Sequence, residues 1–545
     1  MSPFEDVYKE SKFHPKLEGL LLPYGTAGFR SNANHLDHIM FRMGLLAVLR
    51  SQNTKATIGV MVTASHNPEE DNGVKIIDPM GEMMSTSWEG YATQLANAEQ
   101  EDLIDALKEI IEKEAIDLSL EAKVFLGKDT RKSGVKLSEA VISGVSALGG
   151  HSKDFGLVTT PQLHYAVRCQ NTKGKYGEPS VEGYNKKLSA AFIQLTNNAF
   201  NCTDDQKHLS VDGANGIGAL KLREIECHLK KSAHITLFND GSKRKLNDQC
   251  GADFVKVHQK APIGIEMNPG ERGCSFDGDA DRIVYYYTDS QRRFHLLDGD
   301  KIATLISIFL KELLTQSGLN LTMAVVQTAY ANGSSTDYLR DTLKVTVQCS
   351  KTGVKYLQQM AQKFDIGVYF EANGHGTVVF SKSAEDQIHQ LAEDPSANDE
   401  AKRAARMLQS SVNVINQTIG DAISDMLLIE AILAIKGMTI QQWHAIYTDL
   451  PNRQIKVKVA DRRVIDTTDA ERRAVSPAGL QEAIDSLVKR HKKARSFVRP
   501  SGTEDVVRIY AEAETQESAD ALAHEVSLAV YRLAGGVGDE PKPLH

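Results

Sequence analysis

Three aspartates at alternate positions are the residues of this sequence best suited to chemistry. They lie in the segment DGDADR at positions 277–282. In a straight strand alternate residues lie about 6.6 Å apart, so the outer two carboxylates would be about 13 Å apart. Ligands of Mg²⁺ lie within about 4.2 Å of each other, so the segment must curl, and Gly278 and Ala280 allow that. The oxygen-only donor set favours Mg²⁺, Mn²⁺ or Ca²⁺.

A calcium-binding EF-hand loop begins in a similar way but is excluded by two later positions. It needs Gly at its sixth position and Glu at its twelfth, where this sequence has Arg282 and Thr288. The apolar run 283–287 follows directly, so we expect a loop that enters a strand. Three protein carboxylates leave coordination positions of the ion open, which fits catalysis better than a structural cage.

A serine in the segment TASHNP, positions 63–68, follows the predicted strand 57–63. We expect Ser65 at the tip of a strand-to-helix connection, where ligands gather in α/β sheets. Ser65 is therefore a candidate nucleophile or phosphate carrier, although an ordinary Asn-Pro turn is the alternative. The G-x-S-x-G elbow occurs nowhere in the sequence, which disfavours a serine hydrolase that transfers acyl groups.

Two further loops carry groups that recognise ligands. EANGHG, at 371–376, follows the predicted strand 366–370, and its Glu and Asn suit vicinal sugar hydroxyls. RPSGTE, at 499–504, combines a tight turn, hydroxyls and Arg with the nearby Arg508, which is typical of an anion site. Each alone is also compatible with an ordinary turn. The Gly-rich segment 213–218 lacks G-x-G-x-x-G spacing, so we interpret it as a structural turn.

Strands alternating with helices must position these loops. Predicted strands at 57–63, 123–126, 209–211, 323–326 and 366–370 are separated by helical patterns, which favours α/β layers. At about 150 residues per domain, the 545 residues predict three or four domains. We expect three α/β domains with mixed sheets sandwiched by helices, and a smaller C-terminal α+β domain, around one central cleft. The predicted domain ranges are 1–180, 181–297, 298–453 and 454–545. The polar segment 384–406 is expected to be an inserted surface helix or loop.

Composition excludes several classes of protein. The net charge of −8 opposes a broad nucleic-acid surface. The most apolar stretch, 426–435, is interrupted by Glu430 and is shorter than the roughly 20 residues that span a bilayer. The six cysteines include no C-x-x-C pair, and the N-terminal residues resemble no secretory signal. We therefore expect a cytoplasmic protein without nucleic-acid or membrane partners, whose oligomeric state the sequence does not predict.

Taken in order, the four loops resemble those of the α-D-phosphohexomutase superfamily. TASHNP is similar to its phosphoserine loop, DGDADR to its metal loop, EANGHG to its sugar loop and RPSGTE to its phosphate-binding loop. GTAGFR at 25–30, NGVKI at 72–76 and GKDTR at 127–131 add to the resemblance, although Ala27 stands where a hydroxyl residue is frequent. The early serine loop, EANGHG and the segments 416–425 and 450–453 resemble the eukaryotic branch that acts on N-acetylglucosamine phosphates.

The resemblance implies an isomerase that interconverts N-acetylglucosamine 6-phosphate and N-acetylglucosamine 1-phosphate. A phosphoserine at Ser65 and a sugar 1,6-bisphosphate intermediate would carry the phosphoryl group, and the bisphosphate would also act as an activator. One Mg²⁺ would be held by Ser65, Asp277, Asp279 and Asp281. The product would supply the synthesis of UDP-N-acetylglucosamine.

The resemblance also implies roles for the remaining residues. Lys75 is favoured as the general base, with His375 as second candidate and His66 as the residue that orients Ser65. Arg30 and Arg282 would stabilise phosphate oxygens. The other residues implied in substrate binding are Glu371, Ala372, Asn373, Gly374, Arg499, Pro500, Ser501, Gly502, Thr503 and Arg508.

Three other functions remain compatible with parts of this pattern. A phosphoglucomutase or phosphomannomutase would use the same scaffold and differ in its sugar loop. A phosphatase would result if water reached the phosphoserine. A non-catalytic phosphosugar-binding protein would be free to lose Ser65 or an aspartate, and all four residues are present.

Overall fold

The structure is a computed structural model that describes residues 3–197, 208–229, 233–502 and 504–543. It consists of three mixed sheets covered by helices and a smaller, mainly antiparallel C-terminal part. The predicted fold class is therefore confirmed, whereas the domain ranges stay a prediction. Below, domains 1 to 4 are named by their sheets. In the part of the chain that the structure describes, no helix has the length and apolar character needed to cross a membrane.

Domain 1 contains a five-stranded sheet. Its strands are β1 (Phe29–Asn32), β2 (Ile58–Val62), β3 (Asp71–Ile77), β4 (Lys123–Lys128) and β5 (His151–Leu157). Its helices are α1 (Pro3–Ser11), α2 (Asp37–Thr54), α3 (Thr86–Asn97), α4 (Leu103–Lys113), α5 (Gly134–Ala147) and α6 (Thr160–Asn171). The strand order is β1–β3–β2–β4–β5, with the last three strands parallel and β3 antiparallel to both of its neighbours.

Domain 2 repeats this arrangement. Its strands are β6 (His208–Asp212), β7 (His234–Phe238), β8 (Arg272–Phe276), β9 (Ile283–Thr288) and β10 (Phe294–Leu297). The order is β10–β9–β8–β6–β7, with the last three strands parallel and β9 antiparallel to both of its neighbours. Its helices are α7 (Val181–Thr196), α8 (Ile217–Leu229) and α9 (Ala252–His258). The Gly-rich segment 213–218 joins β6 to α8, as predicted.

Domain 3 contains a four-stranded sheet in the order β12–β11–β13–β14, with the last pair antiparallel. The strands are β11 (Met323–Thr328), β12 (Thr346–Ser350), β13 (Ile366–Phe370) and β14 (Gly376–Phe380). The helices are α10 (Gly299–Ser317), α11 (Gly333–Asp337), α12 (Val354–Ala361), α13 (Lys382–Glu393), α14 (Asp399–Val414), α15 (Ala422–Lys436) and α16 (Ile440–His444).

The polar segment 384–406 is part of the helical layer of domain 3. It belongs to α13 and α14, and Ala401, Ala404, Ala405 and Leu408 form a buried face at helical spacing. The helix α14 packs against α7 and α10. The expected surface helix is therefore confirmed, and small alanines let its buried face pack closely without making the segment hydrophobic. That the segment is an insertion stays a prediction.

Domain 4 is smaller and is built on the antiparallel sheet β15–β19–β18. Its strands are β15 (Asn452–Lys458), β16 (Asp466–Thr468), β17 (Arg473–Ser476), β18 (Arg495–Pro500) and β19 (Val506–Glu512), and its helices are α17 (Leu480–Val488) and α18 (Gln516–Leu533). Domain 4 has its own hydrophobic core, whereas domains 2 and 3 share one. It can therefore move as a unit relative to the other domains.

The serine, metal and sugar loops occupy equivalent positions in the first three sheets. They connect β2 to β3, β8 to β9 and β13 to β14. In each pair the first strand also has a parallel neighbour, and the second strand runs antiparallel to the first. The expected strand-to-helix connection at Ser65 is therefore wrong. Residues 72–77 are buried and pair with β1 and β2, which makes this segment a strand.

Candidate active site

A cavity of about 390 Å³ lies where the four domains meet. This volume suits a small-molecule ligand. Eleven of the predicted site residues line it: Arg30, Lys75, Asp281, Arg282, Glu371, Asn373, His375, Arg499, Ser501, Gly502 and Arg508. The expectation of one cleft shared by four domains is confirmed.

Ser65 is buried, and its backbone has a left-handed φ of 51°. Its N–H donates to Thr63 Oγ1 at 2.9 Å, and its carbonyl accepts from Arg131 Nη2 at 2.9 Å and from Asn247 Nδ2 at 2.8 Å. A non-glycine residue keeps such a backbone conformation only where its surroundings over-determine it. The hydroxyl is thereby directed to Asp277 Oδ2, at 2.7 Å.

The three aspartates form a buried cluster whose ligand atoms lie within 4.8 Å of one another. The segment curls as predicted, with Ala280 at a φ of 59°. Gly278 is needed at the contact with the serine loop, because a Cβ there would lie 2.3 Å from the carbonyl oxygen of Ser65.

The hydrogen bonds of the cluster leave selected oxygens free. Asp277 Oδ1 accepts two backbone N–H groups, and Oδ2 of Asp279 and of Asp281 accept from Lys75 Nζ at 3.1 and 3.2 Å. Among the described residues, the buried Oδ1 atoms of Asp279 and Asp281 have no hydrogen-bond partner. Buried oxygens without partners are costly, and a small divalent cation would satisfy them. These residues therefore fit Mg²⁺.

The charges in the cluster are strongly coupled. Burial, together with the charges of Asp281 and Asp279, raises the pKa of Asp277 well above its usual range. Burial acts on Asp281 in the same direction, but the charges of Lys75 and His375 hold the pKa of Asp281 well below its usual range. A cation at the cluster would favour the ionised form of all three carboxyl groups.

The three candidates for proton transfer differ in environment. Burial would lower the pKa of Lys75, but Asp279 and Asp281 raise it above its ordinary value. His375 Nδ1 lies 2.7 Å from the backbone oxygen of Asp281. A proton assigned to Nδ1 can donate to that carbonyl, which leaves Nε2 as the acceptor. Lys75 and His375 thus both line the cavity and both contact the metal loop.

His66 is kept neutral. Burial, and then the charges of Arg282 and Arg30, lower the pKa of His66 to about 2. Its buried Nδ1 has no hydrogen-bond partner among the described residues, and the hydrogen bonds that position Ser65 come from other side chains. A role of His66 in orienting Ser65 stays a prediction.

The sugar loop is held against the metal loop by its backbone. The N–H of Ile283 donates to the carbonyl of Gly374, whose φ is +89°, and a Cβ at Gly374 would lie 1.9 Å from the carbonyl oxygen of Ile283. The carbonyl of Ala372 accepts from the N–H of Gly299. Ala372 and Gly374 therefore fix the loop, whereas Glu371 and Asn373 present polar groups to the cavity.

Two arginines of domain 4 also line the cavity. Arg499 and Arg508 are directly opposite each other on β18 and β19, so their side chains lie on one face of the sheet. Two adjacent guanidinium groups repel each other until an anion lies between them, and a phosphate accepts from both. Pro500 pairs with Val507 within the sheet, and Thr503 lies outside the described residues.

Sequence reasoning missed several residues of the site. Arg131 and Asn247 hold the Ser65 carbonyl, and Thr160, His164 and Thr352 line the cavity. Arg131 lies in the segment GKDTR, which contributed to the family resemblance but did not indicate a role for Arg131. The Thr-Pro pair at 160–161 was a possible signal of a helix start after a strand.

Thr160 positions Asp279. Its hydroxyl donates to Asp279 Oδ2 at 2.6 Å, and its N–H donates to the carbonyl of Asp279. We expect Thr160→Val to raise the Mg²⁺ concentration for half-maximal activity about tenfold, because outer hydrogen bonds of this kind orient metal ligands. Titration of activity with Mg²⁺ measures this effect. Thr160→Ser should restore the wild-type value, and an unchanged value in Thr160→Val would contradict the role.

Comparison with known protein families identifies the class of the first and last domains. Profiles described as "Phosphoglucomutase/phosphomannomutase, alpha/beta/alpha domain I" and "C-terminal domain" match residues 45–103 with 93–176, and 455–529. Profiles described as "Phosphoacetylglucosamine mutase AMG1", domains II and III, match residues 183–284 and 298–438.

Whole-chain relatives agree. The chain is 64% identical over 537 residues to the phosphoacetylglucosamine mutase of Homo sapiens, covering 98% of this chain and 99% of that protein. The Candida albicans phosphoacetylglucosamine mutase is 45% identical, with 94% of this chain and 97% of that protein covered. The chain therefore belongs to the phosphoacetylglucosamine mutase family, whose members are phosphohexomutases and hence isomerases.

Solved structures are similar along the whole chain. The N-acetylphosphoglucosamine mutase of Aspergillus fumigatus in complex with GlcNAc-6P and magnesium is 46% identical, with a TM-score of 0.93 and coverage of 98% of this chain and 99% of that one. A serine-to-alanine variant of that protein in complex with glucose 1,6-bisphosphate has a TM-score of 0.92, with 46% identity and the same coverage. The resemblance inferred from the four loops is confirmed.

Proposed function

We propose that the chain interconverts N-acetylglucosamine 6-phosphate and N-acetylglucosamine 1-phosphate through a phosphoserine at Ser65. The observation that carries this proposal is the contact of the Ser65 hydroxyl with the aspartate cluster, whose member Asp281 lines the same cavity as Arg499 and Arg508. A monophosphate bound by the two arginines would present its free hydroxyl to the serine.

Each transfer exchanges one P–O bond for another. The free hydroxyl of the sugar attacks the phosphorus on Ser65, the bond to Ser65 Oγ breaks, and a 1,6-bisphosphate forms. The proton of the attacking hydroxyl passes to His375 Nε2, or to Lys75 after its ammonium group has given a proton to Ser65 Oγ, which gains a proton as its bond to phosphorus breaks. The bisphosphate then turns so that its other phosphate faces Ser65, and the reverse transfer releases the isomer. Positioning and charge stabilisation dominate such transfers.

The residues of the cavity have different roles in these transfers. Asp277, Asp279, Asp281 and a phosphoserine oxygen would hold one Mg²⁺, which when bound neutralises charge on the transferred group. Arg30 and Arg282 lie at the same end of the cavity and bind phosphoryl oxygens. Glu371 and Asn373 bind ring hydroxyls in both orientations of the sugar.

The choice of sugar separates this proposal from a phosphoglucomutase or phosphomannomutase. We expect kcat/KM for N-acetylglucosamine phosphates to exceed that for glucose and mannose phosphates by about tenfold or more, the discrimination that a few pocket contacts supply. Isomer formation from all three sugars, measured side by side, tests this. A preference for glucose or mannose phosphates would contradict the proposal, and phosphate release equal to isomer formation would favour a phosphatase.

Further parts of the proposal concern the setting of the enzyme. Sugar 1,6-bisphosphate is expected to reload Ser65 after loss of its phosphoryl group, and the product is expected to supply UDP-N-acetylglucosamine synthesis in the cytoplasm. A non-catalytic binding protein is disfavoured, since Ser65 and the three aspartates are all in place.

A further inference from the structure

One carboxylate of domain 4 connects the phosphate-binding end of the cavity to domain 3. Glu471 lies in the turn between β16 and β17. Its Oε1 accepts from Arg499 Nε at 3.0 Å, and its Oε2 accepts from both the N–H and the hydroxyl of Thr352, at 2.9 and 2.5 Å. Arg499 belongs to domain 4 and Thr352 to domain 3. We call this set of three hydrogen bonds the Glu471 bridge.

The turn that carries Glu471 has an unusual backbone. Asp469, Ala470 and Glu471 have φ values of 53°, 54° and 68°, so three consecutive non-glycine residues are left-handed. Residues keep such conformations where the surroundings over-determine them, which is frequent at ligand sites. Only 14% of the Glu471 side chain is exposed. The turn thus directs a charged group into the junction between two domains.

The partner of Glu471 in domain 3 is itself part of the cavity wall. Thr352, Gly353 and Val354 line the cavity after β12. In the same segment Lys355 donates to the carbonyl of Met84 and to Glu89, both in domain 1. The segment 352–355 is therefore held by domain 1 on one side and by domain 4 on the other.

Glu471 also acts on the phosphate-binding arginines. Arg499 and Arg508 are opposed on neighbouring strands, and a carboxylate behind Arg499 fixes the orientation of its guanidinium group before phosphate arrives. Such preorganisation lowers the entropy lost on binding. Because each carboxylate oxygen serves a different domain, the orientation of Arg499 and one of the contacts between domains 3 and 4 depend on the same side chain.

We infer that Glu471 is a positioning residue that couples phosphate binding by Arg499 to closure of domain 4 on the sugar-binding domain. This inference rests on the proposed function. Glu471 lies behind Arg499 and is separate from the residues that line the cavity, so it acts through Arg499 and Thr352. Closure excludes water from the phosphoserine, so weakening the bridge must affect both substrate binding and hydrolysis.

The test compares Glu471→Gln with the wild-type enzyme. Gln cannot keep the charge-assisted bond to Arg499, so we expect KM for either sugar monophosphate to rise about tenfold, the effect of losing one hydrogen bond to a charged group. We also expect more free phosphate per isomer formed, whereas phosphorylation of Ser65, measured by intact mass, is unchanged. A merely structural role would not change the ratio of hydrolysis to isomerisation. Wild-type KM and ratio in this variant would overturn the inference.

Variants of Thr352 test the other half of the bridge. Thr352→Val keeps the backbone N–H but removes the hydroxyl, and should raise the hydrolysis ratio, whereas Thr352→Ser should restore it. Because both side chains act through one bridge, the double variant should be no worse than Glu471→Gln alone. Additive effects would contradict the coupling. If Glu471→Gln fails to fold, KM and the hydrolysis ratio of Thr352→Val test the inference instead.

A matched control is available in domain 4. Glu540 pairs with Arg532 at 2.9 Å on the exposed surface, and Glu540→Gln should retain wild-type KM and hydrolysis ratio. Wild-type enzyme serves as the control for the reaction itself: failure to isomerise any of the sugar phosphates would contradict the proposed function. An active wild type with an unaffected Glu471→Gln variant would contradict only the bridge.

Discussion

Replacing Ser65 with alanine is expected to abolish the interconversion of the two sugar phosphates. The substitution removes the atom that carries the phosphoryl group, so no alternative covalent route remains, and the loss should reach the detection limit, about a millionfold for removal of a nucleophile. Isomer formation by the purified variant measures this. Intact-mass analysis should find one phosphoryl group on the wild-type chain and none on Ser65→Ala.

The fold of this variant should be intact. The backbone bonds that hold residue 65, from Arg131 and Asn247 to its carbonyl, do not use the hydroxyl, so its thermal unfolding temperature should match the wild type. Ser152→Ala, at an exposed position of β5 in the same domain, should keep full activity. Wild-type turnover by Ser65→Ala would exclude the phosphoserine reaction.

Replacing Asp279 with asparagine is expected to reduce turnover about a thousandfold, since a metal ion contributes several kcal/mol of charge stabilisation. The variant loses one of the two unpartnered buried oxygens that fit the cation. Chelation of the wild-type enzyme with EDTA should have an equal effect that added Mg²⁺ reverses. Asp341→Asn, at an exposed position of domain 3, is the matched control. Full activity in EDTA would contradict the metal site.

The same cluster predicts a pH dependence of metal binding. Because burial and neighbouring charges raise the pKa of Asp277, this carboxyl retains a proton in metal-free protein where a free aspartate is ionised. Mg²⁺ needs the carboxylate, so its affinity should increase as the pH rises above the range in which a free aspartate ionises. A raised folded pKa also means that metal-free protein loses stability as the pH rises through it. Calorimetric titration at several pH values should detect proton release on Mg²⁺ binding.

The contact between the serine and metal loops was predicted only through the resemblance to a known family. Three aspartates that must curl around a cation, and a serine at the end of a strand, are local signals, and the structure brings them together across 212 positions. The four-domain organisation followed from length and from strand–helix alternation. Polar and charged residues have a high free-energy cost of burial unless they are paired or bind a metal. They are therefore the strongest signal of a functional site that a single sequence offers.

Other parts of the site could not be read from the sequence. The strand β3 begins with Asp71, Asn72 and Gly73, which have low strand propensity, and tertiary pairing with β1 overrides that propensity. Asn247 binds the Ser65 carbonyl from another domain, and a bond between a side chain and a distant backbone atom leaves no periodic pattern. The Glu471 bridge likewise leaves no pattern in the sequence. Its three residues are polar or charged types that are common on protein surfaces.

The equivalent placement of three loops in three successive sheets has a consequence for how the enzyme is made. Domains fold in order during synthesis, and Ser65 meets Asp277 only after a further 212 residues have been added. The contact of Lys75 with Asp279 likewise forms only after a further 204 residues have been added. A nascent first domain therefore exposes a serine that has neither its metal-binding partners nor its shielding from water. On the proposed mechanism, Ser65 would receive its first phosphoryl group only after the metal loop has folded against it, so activation would follow that folding step as a separate event.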